Sequence, residues 1–230
     1  MNEFFQNSLF FGAAISLLAY EASLLLKKKF RLAILNPLLI SVIAVIAINL
    51  ILHVDYETYQ ASGQYLSYLL TPATVCLAVP LYEQLSLLKE NWKAVACGIL
   101  SGVLASMGGV LVLSKIFGLS HEQYVTLLPK SITTAIGMGI SEELGGIVTI
   151  TVAVIIITGI LGNVIADFIF KVFRIQEPVA KGLALGNSAH AIGTAKAMEL
   201  GAVEGAMSSL AIAVAGLLTV ITASVFAQFM

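Results

Sequence analysis

Charge is scarce in this chain. Acidic and basic residues together make up 11% of its 230 residues, histidine occurs three times and tryptophan once. With 59% hydrophobic residues and a mean hydropathy of +0.98, the composition excludes a water-soluble globule, in which about a quarter of the residues carry charge. The 12 basic and 13 acidic residues nearly cancel and build no basic face outside a few loops, which argues against nucleic-acid binding. Cysteine is limited to Cys76 and Cys97, both in apolar runs and without metal-ligand spacing, so they read as packing residues rather than a disulfide or a metal site. Enzyme signatures are missing too: there is no His-Glu-x-x-His, no phosphate loop and no Gly-x-Ser-x-Gly. Ser188 and His190 are two residues apart and would not face each other on a helix as a catalytic pair. No enzyme, cofactor or metal is expected. The start, Met1-Asn2-Glu3, lacks the basic region of a secretory signal, so the first span is expected to be retained.

What is present is apolar length. Runs at 4–26, 32–52, 63–81, 94–113, 147–170 and 203–229 are each near the roughly 20 residues that a hydrocarbon core of about 30 Å requires. The expected fold is an all-α polytopic membrane protein, one membrane domain over 1–230, with N-terminal helices over 1–120 and a repeat-containing core over 121–230. Asn36-Pro37 reads as the start of the second span, Asn36 as cap and Pro37 in the first turn. Pro72 and Pro80 should kink or interrupt the third run, with Thr71 and Thr74 able to satisfy freed carbonyls.

The core takes its name from a repeat. Thr133-Thr134-Ala135-Ile136-Gly137-Met138-Gly139-Ile140-Ser141-Glu142-Glu143-Leu144-Gly145 returns 56 residues later as Ala189-His190-Ala191-Ile192-Gly193-Thr194-Ala195-Lys196-Ala197-Met198-Glu199-Leu200-Gly201, identical at six of thirteen positions. Each copy is small, polar and charged, and each leads into a long apolar run, giving repeat units at 124–170 and 182–229. Lys27, Lys28, Lys29, Arg31, Lys89, Lys93, Lys171, Arg174 and Lys181 fall on one face, the cytoplasmic one, only if 124–146 does not cross. That segment is then a dip from the outside, 182–201 is a dip from the cytoplasm, and the N-terminus lies outside. About six full spans plus two re-entrant or broken-helix segments result, and one dip plus one crossing per copy makes the copies antiparallel, as in inverted-repeat transporters. Two tilted, unwound helices that do cross are the alternative.

Pro129-Lys130-Ser131-Ile132-Thr133-Thr134 combines a helix interrupter, one cation and three hydroxyls. After a break at Pro129, Ser131 or Thr133 suits the cap of a short helix whose free N–H groups attract an anion. In the second copy Asn187 or Ser188 would cap an equivalent start, with His190 and Thr194 within reach. Together these describe a cavity for a small carboxylate. Each residue has a plainer role as well: Lys130 snorkelling to the surface, His190 hydrogen-bonded in the interior, the threonines and glycines packing helices. Glu143 and Glu199 share a repeat position and would couple protons if embedded, or be solvated at their own surfaces. Asp167 is expected to pair with Lys171 one turn away.

Leu70-Thr71-Pro72-Ala73-Thr74-Val75-Cys76-Leu77-Ala78-Val79-Pro80-Leu81-Tyr82, Leu127-Leu128-Pro129-Lys130-Ser131-Ile132-Thr133-Thr134-Ala135 and the run from Lys181 through Gly186-Asn187-Ser188-Ala189-His190 to Lys196 resemble the LrgB/CidB family, essentially end to end. The resemblance implies holin-like or antiholin-like membrane proteins linked to murein hydrolase control, autolysis and programmed cell death, beside a small LrgA/CidA-type membrane partner. It also implies transport of small monocarboxylates, since relatives are implicated in pyruvate uptake and in glycolate and glycerate exchange, and it makes a homodimer plausible.

The topology has a direct test. In a chain without Cys76 and Cys97, Ser120→Cys labels from outside the cell and Arg174→Cys from the cytoplasm. Labelling of both from one side contradicts the dip.

Overall fold

The computed structural model describes residues 8, 10–30, 37–69, 72, 75, 76 and 78–230. Among the described residues every regular element is a helix, and the chain falls into two compact units, Met1–Cys76 and Leu77–Met230.

The first unit holds α1 (Phe11–Phe30), α2 (Pro37–Ile51) and α3 (Tyr56–Ser67), with α1 packed on both others. Pro37 opens α2 as expected, its fixed φ suiting a first turn; the expected cap, Asn36, lies outside the described residues. Asp55 caps α3, its Oδ1 accepting from the Thr58 N–H at 2.7 Å. A hydrogen bond between Ser16 Oγ and Tyr59 Oη, 2.8 Å, ties α1 to α3. The run at 63–81 is not one helix. Asp55 starts α3 early, α3 ends at Ser67, residues 72, 75 and 76 are again helical, and α4 (Ala78–Glu83) belongs to the second unit. Pro80 falls in the first turn of α4, where a missing N–H costs no bond. Pro72 is described; Thr71 and Thr74 lie outside the described residues. Cys76 and Cys97 are both free, and both are exposed rather than packed.

The second unit continues with α5 (Leu85–Glu90), α6 (Trp92–Phe117), α7 (His121–Leu127), α8 (Thr134–Glu143), α9 (Val148–Val172), α10 (Pro178–Leu200) and α11 (Ala202–Ala227). Among the described residues α6, α9 and α11 are long and apolar enough to cross a membrane. The fold is therefore all-helical with three evident spans among the six expected. On α6 the stripe Val95, Ile99, Val103, Met107 and Val110 is buried at helical spacing, while Leu100, Leu104, Leu113 and Ile116 on the other faces are exposed. A helix that is apolar all round yet covered on one face only is suited to lipid on the rest.

Both polar segments double back. Thr126, at the end of α7, receives the Ile147 N–H on its Oγ1 at 2.8 Å, and its carbonyl accepts from Thr151 Oγ1 at 2.8 Å. The chain thus leaves Thr126, turns at 128–133, and returns along α8 to the same place. In α10 the backbone is non-helical at His190, with φ 41° and ψ −131°. A Cβ on Gly193 would strike the Leu185 carbonyl oxygen. In a straight helix residues eight apart stand about 12 Å apart, so α10 is a hairpin of two helical arms, 178–189 and 191–200. The first arm lies against α11, where a Cβ on Gly186 would come 2.5 Å from the Ser208 carbonyl oxygen. Ala211 and Ala215 keep that face of α11 flat enough for the approach.

Gly193→Ala should therefore force the arms of α10 apart and cost about 2 kcal/mol, lowering the melting temperature in detergent by several degrees. Gly139→Ala is the control, since its Cβ meets nothing within 4 Å, and should be neutral or slightly stabilising. Equal melting of the two variants contradicts the hairpin.

Candidate functional site

Residues of the first turn and residues just before the second line one cleft of about 960 Å³. One wall is α6, where Ala94, Gly98, Gly102 and Ser106 recur every fourth residue and so share a face. Opposite stand Thr158, Leu161, Gly162 and Ile165 of α9, and the first arm of α10 forms the third side. Asn91 and Glu177 sit at the end where α6 begins and α9 has just finished. Lys130 and Ser131 come from the first turn, Asn187 and Ser188 from the last turn before the second.

Both turns are held at the middle of long helices. Ser106, midway along α6, donates its hydroxyl to Ser131 Oγ at 2.9 Å. Lys130 Nζ donates to Ser131 Oγ at 2.9 Å and to Ser106 Oγ at 3.4 Å. Among the described residues no carboxylate pairs with Lys130; the ion pair present joins Lys196 Nζ to Asp167 at 2.9 Å. Hydroxyl partners leave positive charge on the ammonium without a counter-ion, an arrangement that suits an anion. Asn187 is placed by α6: its Nδ2 donates to the Gly98 carbonyl oxygen at 3.3 Å, and its amide lies where a Cβ on Gly102 would come within 2.7 Å. Ser188 is exposed to the cleft and donates to the Ala184 carbonyl oxygen at 2.7 Å.

The other expected residues lie elsewhere. Thr133 is the N-cap of α8 with no side-chain bond, Thr134 is its first residue, and neither lines the cleft. Ser131 caps nothing, because its hydroxyl is engaged by Lys130 and Ser106. The second break falls at His190 rather than before it, which leaves Asn187 and Ser188 inside the first arm and not at a helix start. His190 is buried with Nε2 donating to the Ile155 carbonyl oxygen at 3.0 Å, and its own carbonyl accepts from Thr194 Oγ1 at 3.1 Å. Thr194 also bonds Ser208 Oγ at 2.7 Å. These bonds pin the reversal in α10. Pro129 is buried between α7 and α8. Glu143 and Glu199 are both exposed, at the far ends of α8 and α10 from the turns. Asp167 pairs with Lys196 rather than Lys171, since the hairpin brings the second arm of α10 alongside α9. Ser106, Gly98 and Gly102 escaped the sequence reading, although small residues every fourth position in an apolar span are a legible sign of a groove.

His190→Ala should lower stability by about 2 kcal/mol, by removing the bond to Ile155 from a buried break. Ser188→Ala, at an exposed position, should stay within about 0.5 kcal/mol of the parent. Thermal melting in detergent separates the two, and an unaffected His190→Ala would contradict the role given to that bond.

Comparison with known sequences places this arrangement. The LrgB-like family profile matches residues 16–229. The chain is 39% identical over 210 residues, 91% of each sequence, to the holin-like protein CidB of Staphylococcus epidermidis. It is 36% identical over 221 residues, 96% of each, to the antiholin-like protein LrgB of Bacillus mycoides and to that of Bacillus cereus. No solved structure matches it. The chain belongs to the LrgB-like family.

Proposed function

We propose that this LrgB-family protein is a bacterial inner-membrane carrier of small monocarboxylates, of the pyruvate, glycolate or glycerate kind, with the cleft as its binding site. The observation that carries the reading is Lys130: a cation without a carboxylate partner among the described residues, held by Ser106 and Ser131 at the inner end of a walled cleft. Ionisable groups deep among apolar spans are costly and tend to mark solute paths. An inverted repeat is supported by two hairpins whose breaks are adjacent under the 56-residue offset, the first turn at 128–133 corresponding to 184–189 and the second break falling one residue later at His190, each hairpin being followed by a long apolar helix. With the basic loops inside, the mouth at Asn91 and Glu177 opens to the cytoplasm and the N-terminus lies outside. On this reading the shorter helices complete the six spans, and Glu143 and Glu199 lie at the surfaces where protons enter or leave.

A second reading is the one the relatives' names favour: a holin-like or antiholin-like protein that regulates murein hydrolases and autolysis, working with a small LrgA/CidA-type membrane protein, with a homodimer as a further assembly. Neither name mentions transport. The two readings separate in proteoliposomes loaded with this chain, with and without the small partner. The carrier takes up labelled pyruvate or glycolate saturably, and Lys130→Ala reduces that flux at least tenfold while Lys130→Arg keeps part of it. Unselective leakage, or no flux in either preparation, supports the regulator and contradicts the carrier.

A further inference from the structure

Along α6 the cleft runs from Asn91 to Ser106, and past Ser106 the protein is filled. Met107 and Val110 of α6, Tyr124 of α7, Leu128 of the first turn, and Ala223 and Ala227 of α11 are buried in one apolar cluster. From Ser106 to Ser114 this plug is about 12 Å deep along α6. Its two sides are held differently. A turn of three residues, 118–120, fastens α7 to α6, and Ser120 and Gln123 close a reciprocal cap at the start of α7. α11 is clamped over its first half, where Cβ atoms on Gly182 and Gly186 would come 2.5 Å from the carbonyl oxygens of Glu204 and Ser208. The last turns of α11 meet α7 and α6 through alanines, which bury little apolar area. Three polar contacts make up the rest of that join. The Tyr124 hydroxyl donates to the Phe226 carbonyl oxygen at 2.8 Å, His121 Nδ1 donates to that of Met230 at 2.7 Å, and Thr222 Oγ1 lies 3.2 Å from the Met107 sulfur. Ser114 Oγ, on the buried stripe of α6, has no hydrogen-bond partner among the described residues. The closed plug thus leaves a polar group unpaired, a cost that opening to water removes.

We propose that the C-terminal half of α11 is a gate at the end of the molecule opposite Asn91 and Glu177, latched shut by Tyr124 and His121 of α7. The proposal rests on the carrier reading and supplies the second path that a carrier needs. The end of α11 parts from α7 while its first half stays clamped on α10, and Lys130 is then reached from the far side of the plug. Breaking two hydrogen bonds to carbonyl oxygens and separating small side chains disturbs neither hairpin, because the bonds that hold the turns, at Thr126, Thr151, His190 and Thr194, lie outside the join.

The test joins the two sides of the gate. In a chain without Cys76 and Cys97, His121→Cys and Met230→Cys are combined and bridged in proteoliposomes by a short, reducible bifunctional thiol reagent. Bridging lowers uptake of labelled pyruvate or glycolate by about tenfold or more, and reduction restores it. Each single variant, treated in the same way, keeps the uptake it has untreated. Tyr124→Phe gives the opposite result: with one latch bond gone, Ser188→Cys in sealed vesicles becomes reactive towards an impermeant thiol reagent from the end opposite Asn91 and Glu177. Full uptake by the bridged chain overturns the gate and leaves the carrier standing. Should Tyr124→Phe not fold, the bridged pair decides alone; should it fold and leave Ser188→Cys unreactive from that end, the latch is overturned. Absence of uptake by the unbridged parent removes the carrier reading and the gate with it.

Discussion

Reversing a helix inside an apolar fold frees backbone groups that lipid cannot satisfy, so every such break must find its partners within the protein. Among the described residues this chain makes two of them and closes each with side-chain hydroxyls or imidazole. At the first, the Thr126 hydroxyl oxygen accepts from the Ile147 N–H and its carbonyl oxygen accepts from the Thr151 hydroxyl, which also bonds Ser141 at 2.7 Å. At the second, His190 and Thr194 tie the arms of α10 to α9 and α11. The polar residues of the repeat are thus spent in two ways. One set holds the breaks, and the other, Lys130 with Ser131 and Asn187 with Ser188, is left facing the cleft.

The depth of those residues follows from the long helices. Ser131 meets α6 at Ser106, and the turn at His190 meets α9 near Ile155 and Gly159, in both cases close to the midpoint of the span. Small residues make the meeting possible. Gly98 and Gly102 admit the Asn187 amide, and a Cβ on Gly162 would collide with that of Ala189 at 2.7 Å. A cation at that depth without a counter-carboxylate among the described residues is costly in a membrane, and on the carrier reading a solute supplies the missing charge.

Much of this was legible in the residues. Three spans, the repeat, Pro37 as a helix start and the interruption around Pro129 all follow from periodicity and from proline chemistry. The family followed from whole motifs. What was not legible is where the second break falls. Asn187 and Ser188 look like helix caps, and no local signal favours a reversal at His190, whose φ of 41° is stabilised by tertiary bonds to Ile155 and Thr194. The pairing of Asp167 with Lys196 was hidden for the same reason: it exists only because the hairpin returns. The run at 63–81 misled because apolar length alone does not show that Asp55 has already started a helix at Tyr56.

On the carrier reading, the residues next to the two turns share one water-filled cleft open to a single side. In a cysteine-free chain reconstituted in sealed vesicles, Lys130→Cys and Ser188→Cys are exposed separately to a charged, membrane-impermeant thiol reagent. Both positions should react, and only from the side that carries Asn91 and Glu177. Reaction from opposite sides, or protection of either position from both sides, would contradict it.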